Sequence, residues 1–171
     1  AMHPVDKQFG RAILKQYGID TVAPLIGVAV REWRDWNHYK QVLARSCDCL
    51  MAECGSRVVF LPMQWPDDYF LAKKIAGRMK HKALVLDEEY TTGELMSLVG
   101  NLDLLIGIRL HALIFAAIMQ VPLVGISYDP KIDRFLETLG DKHVGTLASI
   151  TAENLIGRVK ELWPRLGRVT A

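Results

Sequence analysis

The stretch LLIGIRLHALIFAAIMQVPLVGISYDPKIDRF, residues 104–135, contains two strand–helix units in succession. Its two short apolar runs, Leu104–Ile108 and Leu123–Ser127, carry no charged side chain, which is typical of strands covered on both faces. Each run is followed by a helical pattern, at Arg109–Gln120 and at Pro130–Leu139. Strands that alternate with helices in this way predict a parallel sheet.

The same alternation continues on both sides of this stretch. Three more strands are predicted at Leu25–Val30, Val58–Leu61 and Ala83–Leu86, and a short sixth strand near His143–Gly145. Further helices are predicted at Asp6–Tyr17, Trp36–Cys54, Asp67–Arg78, Gly93–Val99 and Ala152–Leu162. The expected fold class is α/β, with a doubly wound parallel sheet of the Rossmann-like kind and right-handed crossovers. We expect one domain over residues 1–171, since no repeat or linker interrupts the pattern.

Composition excludes several classes of function. A net charge of +2, without a dense Lys/Arg run, does not favour a nucleic-acid-binding protein. Cys47, Cys49 and Cys54 are odd in number and lack CxxC spacing, so we expect reduced cysteines, no zinc site and no other metal site. No apolar run is long enough for a membrane span, and we expect a cytoplasmic location. No Gly-x-Gly-x-x-Gly follows the first strand, which argues against a dinucleotide, and no cofactor is expected.

Basic side chains stand at two helix starts, where the helix dipole disfavours them. Arg109 and His111 open one apolar helix, and Lys131 lies in the first turn of the next. Other helices begin with the favoured sign, as at Asp67 and Asp68. Because both inverted helices follow neighbouring strands in the sequence, their cations are expected to converge on a compact anion such as a phosphate or carboxylate.

Further candidates follow other strands, since ligands of such sheets bind beyond the carboxyl ends of the strands. Arg31 follows the first strand and joins the cationic group if that strand is central; Gln64 follows the second strand. Alternatively, Arg109 pairs with a carboxylate such as Asp103 or Asp129. Two further questions stay open. Trp33, Trp36 and Trp65 either line a sugar-binding cleft or pack in the core. Glu88 and Glu89 are either a pair of acid and base carboxylates or part of a solvated turn.

The segment IGIRLHALIFAA, followed by VPLVGISYDPKIDRF, closely resembles the polysaccharide pyruvyl transferase family, including its CsaB-type members of bacterial cell-wall polymer synthesis. The features that carry the resemblance are the Arg-Leu-His triplet at residues 109–111 and the Ser-Tyr-Asp-Pro-Lys turn at residues 127–131. The segments GVAVREW and VVFLPMQWPDD are similar to the family's corresponding strand ends. The resemblance implies the C-terminal half of a GT-B-type enzyme with two Rossmann-like halves, whose N-terminal half is not in this sequence.

The resemblance also implies a reaction. A pyruvyl group is transferred from phosphoenolpyruvate to two hydroxyls of one sugar, and a cyclic ketal and phosphate are formed. For this reaction we expect His111 to be the general acid. The substrate-binding residues that we expect are Arg31, Arg109, Leu110, Lys131 and Gln64.

The implied acceptor is a lipid-linked amino sugar, bound mainly by the N-terminal half at the inner face of the membrane. The chain alone is then expected to fold and to bind the donor weakly without turnover. Two alternative functions are considered. The chain could be the donor domain of a GT-B nucleotide-sugar glycosyltransferase or epimerase, or it could be a non-catalytic flavodoxin-like module that binds an anion. The second is disfavoured because Arg31 and Glu32 stand where a receiver module carries acidic residues.

Overall fold

Residues 3–20 and 22–166 are described by a computed structural model. Five parallel strands form one sheet in the order β3-β2-β1-β4-β5. The strands are β1 Leu25–Ala29, β2 Arg57–Phe60, β3 Leu84–Val85, β4 Leu104–Gly107 and β5 Leu123–Gly125. All five coincide with strands predicted from the apolar runs.

Within the part of the chain that the structure describes, seven helices connect and flank the strands. They are α1 Gln8–Gln16, α2 His38–Cys54, α3 Asp67–Gly77, α4 Thr92–Val99, α5 Leu110–Ile118, α6 Pro130–Thr138 and α7 Ala152–Leu162, with a 3₁₀ turn at Trp163–Arg165. Each helix lies where the sequence predicts one, and the ends differ by two residues or fewer. Thr91 and Glu94 form a capping box at the start of α4, and the Thr151 side chain accepts from the Asn154 N–H at the start of α7.

The prediction of a sixth strand near His143–Gly145 is wrong. The segment after α6 contributes only a parallel bridge between Ser127 and Thr146, supported by the Val144 N–H, which donates to Gly125 O at 2.9 Å. Beyond the bridge, Thr146 O accepts from the N–H groups of Ser149 and Ile150. The backbone therefore turns away from the sheet, because local hydrogen bonds replace the ladder.

The two faces of the sheet are covered by different helices, and strand order explains which helix lies where. Helices α2, α3 and α7 contribute to the core on one face, and α1, α4, α5 and α6 contribute to the core on the other. The chain moves outward from β1 through β2 to β3 with its helices on the first face. It then returns through β4 to β5 with its helices on the second face. Crossovers of one hand require this change of face when the direction of winding reverses.

The buried strands alternate between the two cores with a period of two. In β1, Ile26 and Val28 belong to the core beneath α2, whereas Leu25 and Ala29 belong to the core beneath α4 and α5. Side chains on a strand point to opposite faces in turn, so continuous apolar runs are needed to fill two cores. The reversal of winding falls between β1 and β4, which makes their carboxyl ends the expected ligand site.

Helix α1 lies against α4 at close range. The Gly10 N–H donates to Ser97 Oγ at 2.9 Å, and a Cβ placed on Gly10 would lie 2.5 Å from Ser97 O and 2.7 Å from the Leu98 backbone. Glycine is therefore required there by contact. In the described part of the chain, no helix combines the length and the apolar character needed to cross a bilayer.

Candidate active site

The segments beyond β1, β4 and β5 enclose a cavity of about 370 Å³, which we call the switch-point cavity. It lies where the winding of the sheet reverses, because β1 and β4 are neighbours and β5 lies next to β4. Its lining residues are Arg31, Trp33, Arg109, Leu110, His111, Tyr128, Asp129, Lys131 and Ile132. Five of the six residues singled out from the sequence are among them. The sixth, Gln64, lines a neighbouring cavity.

That neighbouring cavity, also of about 370 Å³, lies between the segment after β2 and the start of α4. It shares Arg109 and His111 with the switch-point cavity and adds Gln64, Met63 and Phe115. The side chain of Gln64 is exposed, and its backbone N–H donates to Asp68 Oδ2 at 2.9 Å. Arg109 and His111 therefore form the partition between two adjacent cavities.

Arg109 makes a bidentate ion pair with Asp68. Its Nη2 donates to Asp68 Oδ1 at 2.6 Å and its Nε donates to Asp68 Oδ2 at 3.0 Å. The sequence suggested Asp103 or Asp129 as protein partners, and the structure provides a different one. From the sequence, Asp68 was interpreted as an acidic residue whose charge is favoured by the helix dipole at the start of α3. In the structure its side chain is only 1% exposed.

The pairing has two consequences for the site. Burial raises the pKa of the Asp68 carboxyl above its ordinary value, and the hydrogen bonds and charge of Arg109 oppose that rise. The pair also fixes the guanidinium, while Nη1 and the second Nη2 hydrogen are left for another acceptor. Arg109 is thus an oriented donor whose charge is already partly balanced by the protein.

Arg31 is held by a neutral group. Its Nη1 donates to the Tyr128 hydroxyl at 2.6 Å, and its guanidinium carbon lies 4.7 Å from the centre of that ring. Within residues 3–20 and 22–166, Arg31 forms no ion pair, so its charge is not balanced by a carboxylate in that part of the chain. Sequence reasoning missed Tyr128; its place in the Ser-Tyr-Asp-Pro-Lys turn beside β5 was the available signal.

A buried polar network positions the backbone beside Arg31. Lys40, 5% exposed, donates to both carboxylate oxygens of Glu32 at 2.8 and 2.7 Å. The Tyr39 hydroxyl donates to Arg31 O at 2.8 Å, and the Trp33 N–H lies 2.8 Å from Glu32 Oε2 and 3.0 Å from the same hydroxyl. These bonds fix the loop between β1 and α2, from which Arg31 reaches the cavity.

Helix α5 begins at the cavity without a side-chain cap. Its N-cap residue, Arg109, has an extended backbone, and its side chain accepts no hydrogen bond from the helix. His111, in the first turn, is exposed and contacts Phe115 with ring centres 6.4 Å apart. An uncapped first turn leaves N–H groups available to an anion.

Helix α6 differs because its first turn is already capped. Asp129 is the N-cap residue, and its Oδ1 accepts from the Lys131 N–H at 2.8 Å. The Lys131 side chain is exposed and has no ion-pair partner among the residues that the structure describes. Lys131 therefore supplies a cation and Asp129 a carboxylate to the same cavity.

The family model for polysaccharide pyruvyl transferases matches residues 6–130, which is more than half of the chain. The chain belongs to the polysaccharide pyruvyl transferase family. The match covers the segments after β1, β2 and β4 and ends within the turn after β5. No curated protein matches the sequence.

Solved structures show the fold of this pyruvyl transferase family member. The glycosyl transferase family 9 structure from Veillonella parvula matches with a TM-score of 0.73 and 15% identity over 96% of this chain and 54% of that chain. The ADP-heptose LPS heptosyltransferase II from E. coli gives 0.71 and 15% over 94% and 53%. A putative UDP-N-acetylglucosamine 2-epimerase from Listeria monocytogenes gives 0.62 and 15% over 95% and 39%. The chain thus spans about half the length of the two transferases and 39% of the epimerase, and it has the Rossmann-like fold of GT-B glycosyltransferases and epimerases.

Apart from Trp33, the other candidates from the sequence of this pyruvyl transferase family member lie away from the switch-point cavity. Glu88 and Glu89 are exposed beyond β3, at the edge of the sheet. Trp65 packs against Tyr69, with ring centres 5.2 Å apart, whereas Trp33 lines the cavity itself. Cys47, Cys49 and Cys54 are free thiols on α2. Within the described residues, no three or more His, Cys, Asp or Glu side chains gather as metal ligands would.

Proposed function

We propose that this chain holds the donor site of a pyruvyl transferase that uses phosphoenolpyruvate. The observation that supports this proposal is one cavity that collects Arg31, Arg109, His111 and Lys131 from the ends of three adjacent strands. Phosphoenolpyruvate presents a phosphate and a carboxylate on three carbons, so it needs several donors at short range. The volume of the cavity, about 370 Å³, suits a ligand of this size.

The charges of the cavity suit a compact polyanion. Arg31 and Lys131 are free of ion pairs in the described chain, and Arg109 retains unpaired N–H groups after it binds Asp68. The first turn of α5 adds backbone N–H groups and the positive end of its dipole. Asp129 is the opposing charge, and its cap on α6 directs one oxygen towards the backbone. We assign the phosphate to the start of α5 and the carboxylate to Arg31.

His111 is the proposed general acid. Its imidazolium donates a proton to the methylene carbon of phosphoenolpyruvate, and a sugar hydroxyl forms a bond to the central carbon. The proton of that hydroxyl returns to His111, so the acid is restored. A second hydroxyl then attacks the same carbon and the bond to the phosphate oxygen breaks. The leaving phosphate takes the second proton, and Arg109, Leu110 N–H and Lys131 stabilise its charge.

The acceptor in this proposal is a lipid-linked amino sugar, and the reaction takes place at the cytoplasmic face of the membrane. Residues 1–171 then form the C-terminal half of a two-domain enzyme, and a preceding half supplies most of the acceptor wall. The extent of the matched structures supports this arrangement, since the chain covers 54% and 53% of the two glycosyltransferases. We expect no ketal formation by this chain alone, measured as phosphate release in the presence of acceptor.

A nucleotide-sugar donor is the second candidate. A UDP-bound structure from S. aureus, with 17% identity and a TM-score of 0.67, has the same fold over 95% of this chain. The fold alone does not select between donors, so a uridine nucleotide sugar is the matched competitor in the experiment. Phosphoenolpyruvate is favoured by the compact cationic cavity and by the family.

The test is chemical-shift mapping of this chain with phosphoenolpyruvate, inorganic phosphate and a UDP-sugar. Phosphoenolpyruvate should shift resonances of Arg31, Leu110, His111 and Lys131 and saturate at lower concentration than phosphate. Arg31→Ala should weaken it by roughly 10- to 100-fold, the effect of one lost set of charge-assisted hydrogen bonds. His111→Ala should leave binding nearly unchanged.

The matched control is Arg134→Ala. Arg134 is an exposed arginine on α6, the helix of Lys131, but it does not line the cavity. Arg109→Ala is a poor first test, because it also leaves Asp68 buried without its cation. Binding of the UDP-sugar without binding of phosphoenolpyruvate, or equal losses in Arg31→Ala and Arg134→Ala, would refute the donor assignment.

A further inference from the structure

A second cavity adjoins the switch-point cavity across a shared wall. It has a volume of about 380 Å³ and lies between the loop that follows β1 and the turn that follows β5. Trp33, Tyr128 and Asp129 line both cavities, while Trp36 and Asp133 line only the second. We call the second cavity the tryptophan cleft.

Neither tryptophan of the cleft is fully buried, although Trp33 packs against the edge of the core. Trp36 is 40% exposed, and Trp33 is partly buried with its ring centre 5.4 Å from that of Tyr128. Between them, Arg34 and Asp35 both have left-handed backbones, with φ of 50° and 56°. Such a pair of non-glycine residues is rare, and here it turns the chain so that both rings border one cavity. The polar network of Glu32, Tyr39 and Lys40 fixes the start of this loop.

Carboxylates outnumber cations among the residues that line the cleft, whereas cations outnumber carboxylates in the switch-point cavity. The cation of the cleft is Arg34, whose guanidinium is stacked over the Trp33 ring at 4.8 Å from the centre. Its carboxylates are Asp129 and Asp133, and the side chain of Asp133 is 40% exposed. Asp129 Oδ1 is bound to the α6 backbone, and within the described ranges its other oxygen has no hydrogen-bond donor. An anion is therefore disfavoured, whereas a ligand with hydroxyl donors is favoured.

Aromatic rings beside carboxylates match the chemistry of a neutral pyranose. One face of a pyranose ring carries C–H groups that pack on indole and phenol rings, and its edge carries hydroxyls that donate to carboxylates. The cavity volume lies near the lower end of small-molecule sites, which suits one sugar ring. From this geometry we infer that the tryptophan cleft binds the sugar ring that accepts the pyruvyl group.

This inference rests on the proposed function, because it treats the adjoining cavity as the donor site. The shared wall then has a specific consequence. A sugar packed on Trp33 and Trp36 presents its hydroxyls past Asp129 to the carbon of the donor. The reacting ring is thus bound by this half of the enzyme, and the remainder of the lipid-linked acceptor extends towards the other half.

The test uses the four indole N–H resonances of this chain, assigned with Trp→Phe variants. A methyl glycoside of N-acetylmannosamine serves as the neutral sugar probe. The resonances of Trp33 and Trp36 should shift saturably, with a dissociation constant on the order of a few millimolar. Those of Trp65 and Trp163, which lie outside the cleft, should not move.

Substitutions make the assignment sharper. Trp36→Ala should weaken binding of the glycoside at least about fivefold. Trp36→Phe should retain part of the affinity, because an aromatic face remains. The matched control is Trp65→Ala, which removes a partly exposed indole that packs on Tyr69 at the start of α3. Absence of shifts at Trp33 and Trp36, or equal affinity of Trp36→Ala and the unmodified chain, overturns the inference.

Parallel titrations separate this inference from the donor assignment. If phosphoenolpyruvate binds and the glycoside does not, the inference fails while the proposed function stands. If the glycoside binds and phosphoenolpyruvate does not, the cleft is a sugar site but the donor assignment fails. If UDP, and not the glycoside, shifts Trp33 and Trp36, the cleft binds a nucleotide and the inference fails; the donor assignment fails as well only if phosphoenolpyruvate does not bind.

Discussion

Removing one partner of the ion pair between Asp68 and Arg109 should destabilise this fold, because the other partner is left buried without an opposite charge, and Asp68→Asn tests it. The amide keeps the size of the carboxylate, but its NH₂ group must face a donor, either Arg109 or the Gln64 N–H. The Asp68 side chain is 1% exposed and that of Arg109 16% exposed, so water replaces little of the lost pairing. Breaking one partner of a buried pair costs about 3–5 kcal/mol. Because Arg109 retains some contact with water, we expect about 3 kcal/mol.

Urea denaturation followed by circular dichroism measures this loss as a change in the free energy of unfolding. Asp67→Asn is the matched control, since Asp67 is the exposed neighbour in the same helical turn, and it should cost no more than about 0.5 kcal/mol. A loss below about 1 kcal/mol for Asp68→Asn would refute the view that burial makes this pair strong.

The complementary variant, Arg109→Met, adds a dependence on pH. Without Arg109, the pKa of Asp68 should rise further above that of the unfolded chain, because the charged form loses its stabilising partner. The penalty should therefore be smallest below the unfolded pKa of about 4, where Asp68 is neutral in both states, and grow as the pH rises through the folded value. A penalty that stays constant between about pH 4 and pH 7 would contradict this explanation.

Three further predictions concern the framework around the site. Burial raises the pKa of the Cys47 thiol to about 12, so in the folded protein it should resist alkylation at pH 8, measured by mass spectrometry, and react only after unfolding. Gly10→Ala should cost about 1–3 kcal/mol in urea denaturation because its Cβ meets the backbone of α4, whereas Gly157→Ala, with open space in α7, should gain up to about 1 kcal/mol. Burial raises the pKa of Glu32, but its bonds with Lys40 outweigh the effect of burial, so the pKa of Glu32 is lowered in the folded protein. The stability that this lowered pKa provides is present above about pH 4.3, the unfolded value, and is lost as the pH falls through the folded value. Glu32→Gln should reduce that acid-dependent loss in denaturation titrations, and an unchanged pH profile would contradict it.

The order of the strands illustrates what the sequence leaves open. Continuous apolar runs predict parallel strands, but they do not state which strands are neighbours. Only packing of the helices on two faces places β1 beside β4 and thereby brings Arg31 to Arg109 and His111. For this reason the sequence supported the convergence of Arg31 only on the condition that the first strand is central.

The sequence could not identify the ion-pair partner of Arg109 for a similar reason. Asp68 is 41 residues away along the chain, and its position at a helix start already had a local explanation through the dipole. A carboxylate in the first turn of a helix is usually solvated. Tertiary packing instead buries this one against α5.

The sequence by itself determined the class of fold and the positions of seven helices and five strands within two residues, and it named six candidate site residues, of which five line one cavity. Those features depend on periodicity, caps and residue type, which are local properties of the chain. The tertiary structure decided strand order, the Asp68–Arg109 pair, the support of Arg31 by Tyr128 and the shared wall between the two cavities. These contacts join residues far apart in the chain, so they depend on how the helices pack on the sheet.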